Sequence, residues 1–188
     1  MKVKTTDFRA LAILAVFICT VAGCATPSSP DGMTVTALAT AASQVPPRLR
    51  SQIAVRDVVG GDETNPMLES NIDSSAFEAA LEASLRNSGL GAPNRRAGLY
   101  QVAAMIERVD QPVVALDMTV TTTVYYSLIE RSSNKSVWSQ TVTRSYTARM
   151  ADAFLGSKRL RMANEGSAKA NIQAFLEELI KKFSQSAD

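Results

Sequence analysis

Residues 114–128 read VALDMTVTTTVYYSL, and the fold turns on them. Val114, Leu116, Met118, Val120, Val124, Tyr126 and Leu128 occupy even positions, interrupted only by Thr122, while Asp117, Thr119, Thr121, Thr123 and Ser127 occupy odd ones. Successive side chains of a strand point to opposite faces, so this period of two predicts a long strand with one buried and one wet face. The polar turn Ser132-Ser133-Asn134-Lys135 follows, and Val137–Met150 again places Trp138, Val142, Tyr146, Ala148 and Met150 on even positions. Pairing Leu128 with Trp138 sets Val124 opposite Val142 and Val120 opposite Tyr146, which keeps one face apolar throughout the hairpin. A ribbon of roughly 45 Å, at 3.3 Å per residue, requires strong twist or a bulge partway. Tyr126, Trp138 and Tyr146 are expected in the core with their polar tips at its margin. Tyr125 falls on the wet face with Ile129. The pair could begin a partner-binding patch or be two ordinary exposed side chains.

Outward from the hairpin, Ile53, Val55 and Val59 alternate with Ala54, Arg56 and Val58, predicting a first strand over about 52–59 that Gly60-Gly61-Asp62 ends. Ser75 and Glu78 have the spacing of a capping box. Phe77, Ala80, Leu81 and Leu85 then share one helical face, and Gly89 supplies a left-handed stop with Leu90 folding back, so a helix is expected over 75–88. Leu99–Val109 alternates imperfectly and reads as a second strand. Leu160, Ala163, Ala168, Ile172, Phe175, Leu176, Leu179 and Phe183 predict a last helix over 160–183. Gly166 inside it costs about 1 kcal/mol relative to Ala, so either the helix begins later or a neighbour packs closely there. The order strand-helix-strand-strand-strand-helix implies an α+β domain, a mostly antiparallel four-stranded sheet with two helices on one face.

Before the domain, Lys2, Lys4 and Arg9 precede an uncharged run, Ala10–Ala22, in the layout of a secretory signal peptide. The run is about 20 Å long as a helix, too short for a roughly 30 Å hydrocarbon core. Residues 24–50 are rich in Pro, Ser and small side chains and read as a flexible tether reaching roughly 25–30 Å, although Met33–Ala42 is apolar enough to dock. The division is therefore 1–23 signal peptide, 24–50 tether, and 51–184 domain.

The chain carries 20 Lys plus Arg and 18 Asp plus Glu. Removing a leader with Lys2, Lys4, Arg9 and Asp7 leaves 17 of each sign, a neutral balance unsuited to nucleic-acid binding. There is no histidine and there are two cysteines, Cys19 and Cys24, which removes imidazole bases, Cys/His pairs and the usual zinc sites. No metal and no cofactor are expected, and no catalytic residue is assigned. Glu107, Asp110, Asp117 and Glu165 have no spacing that forces an acid/base pair. Lys158, Arg159 and Arg161 cluster before the last helix, Arg95 and Arg96 lie in an earlier loop, and Arg48 and Arg50 stand at the domain's start. If they converge they could hold an anionic ligand or a partner; the alternative is a solvated surface.

Val21-Ala22-Gly23-Cys24 resembles the lipobox of bacterial lipoproteins. The resemblance implies cleavage after Gly23, a diacylglyceryl thioether on Cys24 and acylation of its amino group, with palmitate-class chains. Ala25, in place of Asp, resembles the signal for release toward the outer membrane. Three acyl chains hold far more firmly than one. Cys19 leaves with the leader, so the mature chain keeps no free thiol. The order of elements is similar to that of the lipopolysaccharide-assembly lipoprotein, and the segment YSLIERSSNKSVWSQ to the curli-export and penicillin-binding-protein-activator lipoproteins; neither brings a functional residue. These resemblances imply an outer-membrane-anchored, periplasm-facing, non-enzymatic accessory or assembly factor of an envelope transport or biogenesis complex, open to homo-oligomerisation. The alternative is a binding module for an anionic lipid or glycan.

Overall fold

The computed structural model describes residues 26–36, 38, 45–64, 70–112 and 115–185. The signal peptide, Cys24 and Val114 lie outside the described residues. The elements are α1 (Pro30–Met33), a 3-10 turn (Pro47–Leu49), β1 (Ile53–Val59), α2 (Ser74–Asn87), β2 (Tyr100–Asp110), β3 (Met118–Glu130), β4 (Lys135–Ala148) and α3 (Gly156–Gln185). The sheet order is β1-β2-β3-β4. Both β2–β3 and β3–β4 are antiparallel, whereas β1 and β2, joined through α2, run parallel, so the sheet is mixed. α2 packs on β1 and α3 on β3 and β4. The main core is built from Ile53, Val55, Val102, Ile106, Val124, Tyr126 and Leu128 beneath Phe77, Leu81, Ile172, Phe175 and Leu179, and a small second cluster holds Val120, Ala148 and Ala163.

The hairpin has the expected register: Leu128 faces Trp138, Val124 faces Val142 and Val120 faces Tyr146, with a register shift between Leu128 and Ile129. Its start differs. β3 begins at Met118, and Leu116, assigned to the buried face, is 74% exposed. Bulges explain the other departures from alternation, because an extra residue flips every later side chain. In β1 the shift between Val55 and Asp57 turns Val58 inward and leaves Val59 exposed, opposite to expectation. In β2 the shift between Ile106 and Arg108 breaks the alternation there.

α2 starts as expected in place but not in chemistry. Asp73, not Ser75, is the N-cap, accepting from Ser75 N at 2.8 Å and Ala76 N at 3.1 Å. Glu78, freed from the capping box, pairs with Arg95. At the other end Gly89 has φ +74°, Leu90 N donates to Leu85 O at 3.0 Å and Gly89 N to Arg86 O at 3.1 Å, the two bonds of a Schellman stop. The Ser75 hydroxyl above all, assisted by the two amides, holds the Asp73 carboxyl below its ordinary value of 3.8, against an opposing effect of burial that outweighs either amide alone. A depressed carboxylate stabilises fully above its unfolded pKa and loses that contribution as pH falls toward the folded one. Asp73→Ala should therefore cost about 1 kcal/mol at pH 7. Asp73→Asn keeps an acceptor without the charge, so its stability deficit relative to the parent should shrink as urea titrations move from pH 7 to below 3.8.

Tyr146 accounts for Gly166. A Cβ at Gly166 would stand 2.3 Å from Tyr146 Cδ1 and 2.4 Å from Cγ, so the ring lies directly on the glycine. Tyr146 is thereby a half-open lid, 42% exposed, rather than a core residue; Trp138 is half-buried and Tyr126 fully buried. Gly166→Ala gains about 1 kcal/mol of helix propensity yet overpacks a site where overpacking costs about 1–3 kcal/mol. The expected outcome in thermal unfolding is a lower Tm, where an open helix glycine would give a higher one.

The expected tether is largely docked. Met33, Val35, Val45 and Leu49 are buried, all in the main core. Val35 N donates to Ser84 Oγ at 2.9 Å, and Asn87 Nδ2 to Val35 O at 3.0 Å, which stitches the segment to α2. Ser29 donates from N at 2.8 Å and Oγ at 3.0 Å to Glu165 on α3. Apolar side chains at 33, 35, 45 and 49 outweigh the Pro and Ser content between them, since each buried one contributes about 1.5–3 kcal/mol.

Candidate functional site

The cationic residues do not converge. Arg95 and Arg96 sit in the loop before β2, against the end of β3, where Arg131 Nη2 donates to Arg95 O at 3.0 Å. Lys158, Arg159 and Arg161 open α3 beside the start of β3, where a Cβ on Gly156 would lie 3.8 Å from Met118 Cε. The length of β3 separates the two groups, roughly 40 Å at 3.3 Å per residue.

Most of these cations are also engaged already. Arg95 pairs with Glu78 and, at 2.8 Å, with Glu82; the hydrogen bond and charge of Glu78 raise its guanidinium further above its usual value. A cleft of about 90 Å³ beside it is lined by Ile53, Val55 and Leu85 together with Glu82, Arg86 and Arg95, and both cations already pair with Glu82. Arg159 is buried, and its Nη1 donates to the carbonyls of Ala153 at 2.8 Å and Phe154 at 2.7 Å, so it shapes the loop before α3. Arg161 reaches Glu165 at 3.7 Å and Thr26 Oγ1 at 3.1 Å. Arg48 donates to Phe183 O at 3.0 Å with its guanidinium 4.7 Å from that ring, and Arg50 donates to Val45 O at 3.2 Å. Lys158 and Arg96 are exposed.

The carboxylates are equally dispersed. Asp117 accepts from Met150 N at 2.9 Å, Asp110 pairs with Arg108 at 3.2 Å, and Glu165 takes Ser29. Tyr125 stands on the outer face between Met105 of β2 and Thr141 of β4, and Met105 is in turn opposite Val59, giving a short apolar row. Around it the outer face is a ladder of hydroxyls: Thr119 with Thr147 at 2.8 Å, Thr121 with Ser145 at 2.8 Å, Thr123 with Thr143 at 3.1 Å. Such pairs satisfy one another and leave a neutral surface.

Two arrangements escaped the periodicity reading. One is a polar seam beneath α3. Asn164, Ser167 and Asn171, all fully buried, recur at helical spacing and meet Thr122, the one polar residue on the buried face of β3. Thr122 Oγ1 lies 2.7 Å from Ser167 Oγ, Tyr126 OH donates to Asn171 Oδ1 at 2.8 Å, and Asn171 Nδ2 donates to the carbonyls of Thr122 at 2.9 Å and Val142 at 2.7 Å. Asn164 Nδ2 donates to Ser70 O at 2.6 Å, and Gln111 Nε2 to Asn164 Oδ1 at 3.0 Å. Burial pushes the Tyr126 phenol well above its ordinary value, so it remains a donor. Thr122, Tyr126, Ser167 and Asn171 are each bonded to another member, which fixes the helix on the sheet. The signal was Thr122 itself, a buried hydroxyl that required a partner.

The other is the loop end beside α3. Phe154 is 82% exposed, Leu155 49% and Met150 46%, close to Leu116 through the Met150–Asp117 hydrogen bond. The adjacent apolar pair Phe154-Leu155 between Asp152 and Gly156 is its sequence signal. Among the described residues no group of three or more Cys, Asp or Glu is placed to hold a metal ion, and no helix is long and apolar enough to cross a membrane.

No protein-family model matches the sequence, and no curated protein matches it. Solved structures do share the fold. A Xanthomonas campestris protein of the family DUF330 superposes with TM-score 0.60 at 13% identity, covering 86% of this chain and 99% of its own. A Caulobacter crescentus protein described as a candidate lipoprotein gives TM-score 0.54 at 14% identity over 78% of this chain and 97% of that one. The dodecameric PelC of Paraburkholderia phytofirmans gives 0.50 at 22% identity over 72% and 92%. At these identities the likeness is one of fold alone, and a protein described as a candidate lipoprotein is among those that share it.

Proposed function

We propose that this chain is a bacterial lipoprotein, acylated at Cys24 and held at the periplasmic face of the outer membrane, that serves an envelope transport or biogenesis complex as a non-enzymatic accessory or assembly factor. The carrying observation is the lipobox-like stretch at 21–24 shortly before Ser28, Met33 and Val35, which are buried on the domain. The chemistry supports the non-enzymatic role: histidine is absent from the sequence, the mature chain keeps no free thiol, and the carboxylates and guanidiniums that could act together are tied to separate backbone and ion-pair partners. The finer resemblance, to lipopolysaccharide-assembly or curli-export lipoproteins, stays within this proposal, as does homo-oligomerisation, for which PelC provides a dodecameric example of the fold. The alternative, a binding module for an anionic lipid or glycan, would rest on one basic group alone, since the two stand at opposite ends of β3.

Chemical crosslinking in intact envelopes, followed by capture of this chain and mass spectrometry, tests the role. The expected result is a reproducible crosslink to an envelope assembly or to further copies of the chain. Turnover of an envelope lipid or glycan by the purified protein, or a chain that crosslinks to nothing, overturns it.

A further inference from the structure

The path of the N-terminal segment along α3 has a direction. Ser29 bonds to Glu165, and Thr26, three residues earlier, bonds to Arg161, one helical turn closer to the start of α3. The chain therefore runs toward the loop end as it approaches Cys24. Two peptide units separate Thr26 from Cys24, a reach of at most about 7 Å. Thr26, two residues after the proposed anchor, is thus held by Arg161 toward the end of the molecule that carries Leu116, Met150, Phe154 and Leu155.

That end differs from the rest of the surface in kind. Leu116 and Phe154 are 74% and 82% exposed, Met150 and Leu155 about half. Large apolar side chains so open, on two loops held together by the Met150–Asp117 bond, are not covered by any of the described residues. Exposed Arg149 and Lys158 flank them, while the nearby carboxylates of Asp117 and Asp152 are turned onto the amides of Met150 and Arg149. Apolar tips with a basic collar match the boundary between acyl chains and anionic head groups. Arg159 holds the carbonyls of Ala153 and Phe154, so the loop is presented rather than free to fold away.

We propose that Leu116, Met150, Phe154 and Leu155 form a lipid-contact surface that lays this end of the domain on the bilayer in which the acyl chains of Cys24 sit. The proposal rests on the acylation of Cys24 and adds a second attachment that fixes the domain's orientation. The polar Thr/Ser face of the sheet and the hairpin turn at Ser133 are then turned to water or to partners.

The test uses the processed, acylated protein reconstituted in vesicles of phosphatidylethanolamine and phosphatidylglycerol. Phe154→Cys, Leu155→Cys, Leu116→Cys and, at the far end of the hairpin, Ser133→Cys each give a single reactive thiol for a nitroxide label, because Cys24 is blocked. All four sites are on the surface, so the changes leave the core intact. Power saturation should place the labels at 154, 155 and 116 roughly 5 Å or more below head-group level and the label at 133 in water. Adding Phe154→Asp and Leu155→Asp to Leu116→Cys should return that label to water while the protein stays with the vesicles. Labels at 154 and 155 as water-accessible as that at 133, in protein retained by the vesicles, overturn the lipid-contact surface alone. A protein that fails to stay with vesicles and has a reactive Cys24 overturns the acylation on which it rests.

Discussion

Asn171→Leu is expected to destabilise the protein by about 3–5 kcal/mol, because it strands several buried polar groups at about 1–3 kcal/mol each. Asn171 is fully buried and holds the Tyr126 hydroxyl at 2.8 Å together with the Thr122 and Val142 carbonyls. Leu shares the branched shape of Asn and is larger, so no cavity forms, and the loss reports the stranded polar groups together with some overpacking. Tyr126→Phe removes the stranded hydroxyl, and in the double variant about 1–2 kcal/mol of the loss should return. Urea titrations of the parent, both single variants and the double variant measure this cycle. Additive losses would mean that the two side chains do not share a bond. Against a total stability of about 5–15 kcal/mol, the single change approaches the limit of what the fold withstands.

Phe175→Ala should cost about 3–5 kcal/mol through the cavity it leaves. Its ring stacks on Tyr126 with centroids 4.1 Å apart and planes 13° apart, and lies 5.9 Å from Trp138. The contact joins α3 to β3 and β4 at once, so its loss loosens the layer and not a single pair. Trp138 is the sole tryptophan, and its emission should shift to longer wavelength in the variant as water enters beside it. Phe175→Leu retains most of the volume and should cost less than about 1.5 kcal/mol. An unchanged emission maximum and midpoint for Phe175→Ala would contradict the stacked core.

The hairpin was legible because alternation along 118–148 has one solution that keeps the same face buried, and the observed register is that solution. α2 was legible from its Gly89 stop, though the carboxylate of Asp73 outcompeted the Ser75 hydroxyl for the first free amides. Bulges were not legible: nothing in Arg56 or Glu107 announces the extra residue that turns Val58 inward or breaks β2. The docking of Met33, Val35 and Leu49 was hidden by the composition around them, since a local count of Pro and Ser carries no information about a groove formed by residues 50 to 150 positions away. Whether the charge clusters converge was hidden for a related reason. Arg95 and Lys158 resemble each other in sequence, but only the topology of β3 reveals that a strand's length lies between them, and only packing reveals that Arg159 is spent on two carbonyls. The long helix was found in spite of its polar seam, because Ile172, Phe175, Leu176 and Leu179 maintain the stripe where Asn164, Ser167 and Asn171 interrupt it.

Intact-mass spectrometry of the protein extracted from membranes is the most direct measurement. The account predicts a chain that begins at Cys24, its N-terminal peptide heavier than the residues by a thioether-linked diacylglycerol and one amide-linked acyl chain. A chain that retains residues 1–23, or one whose Cys24 sulfur is unmodified, would contradict the anchor and the orientation built upon it.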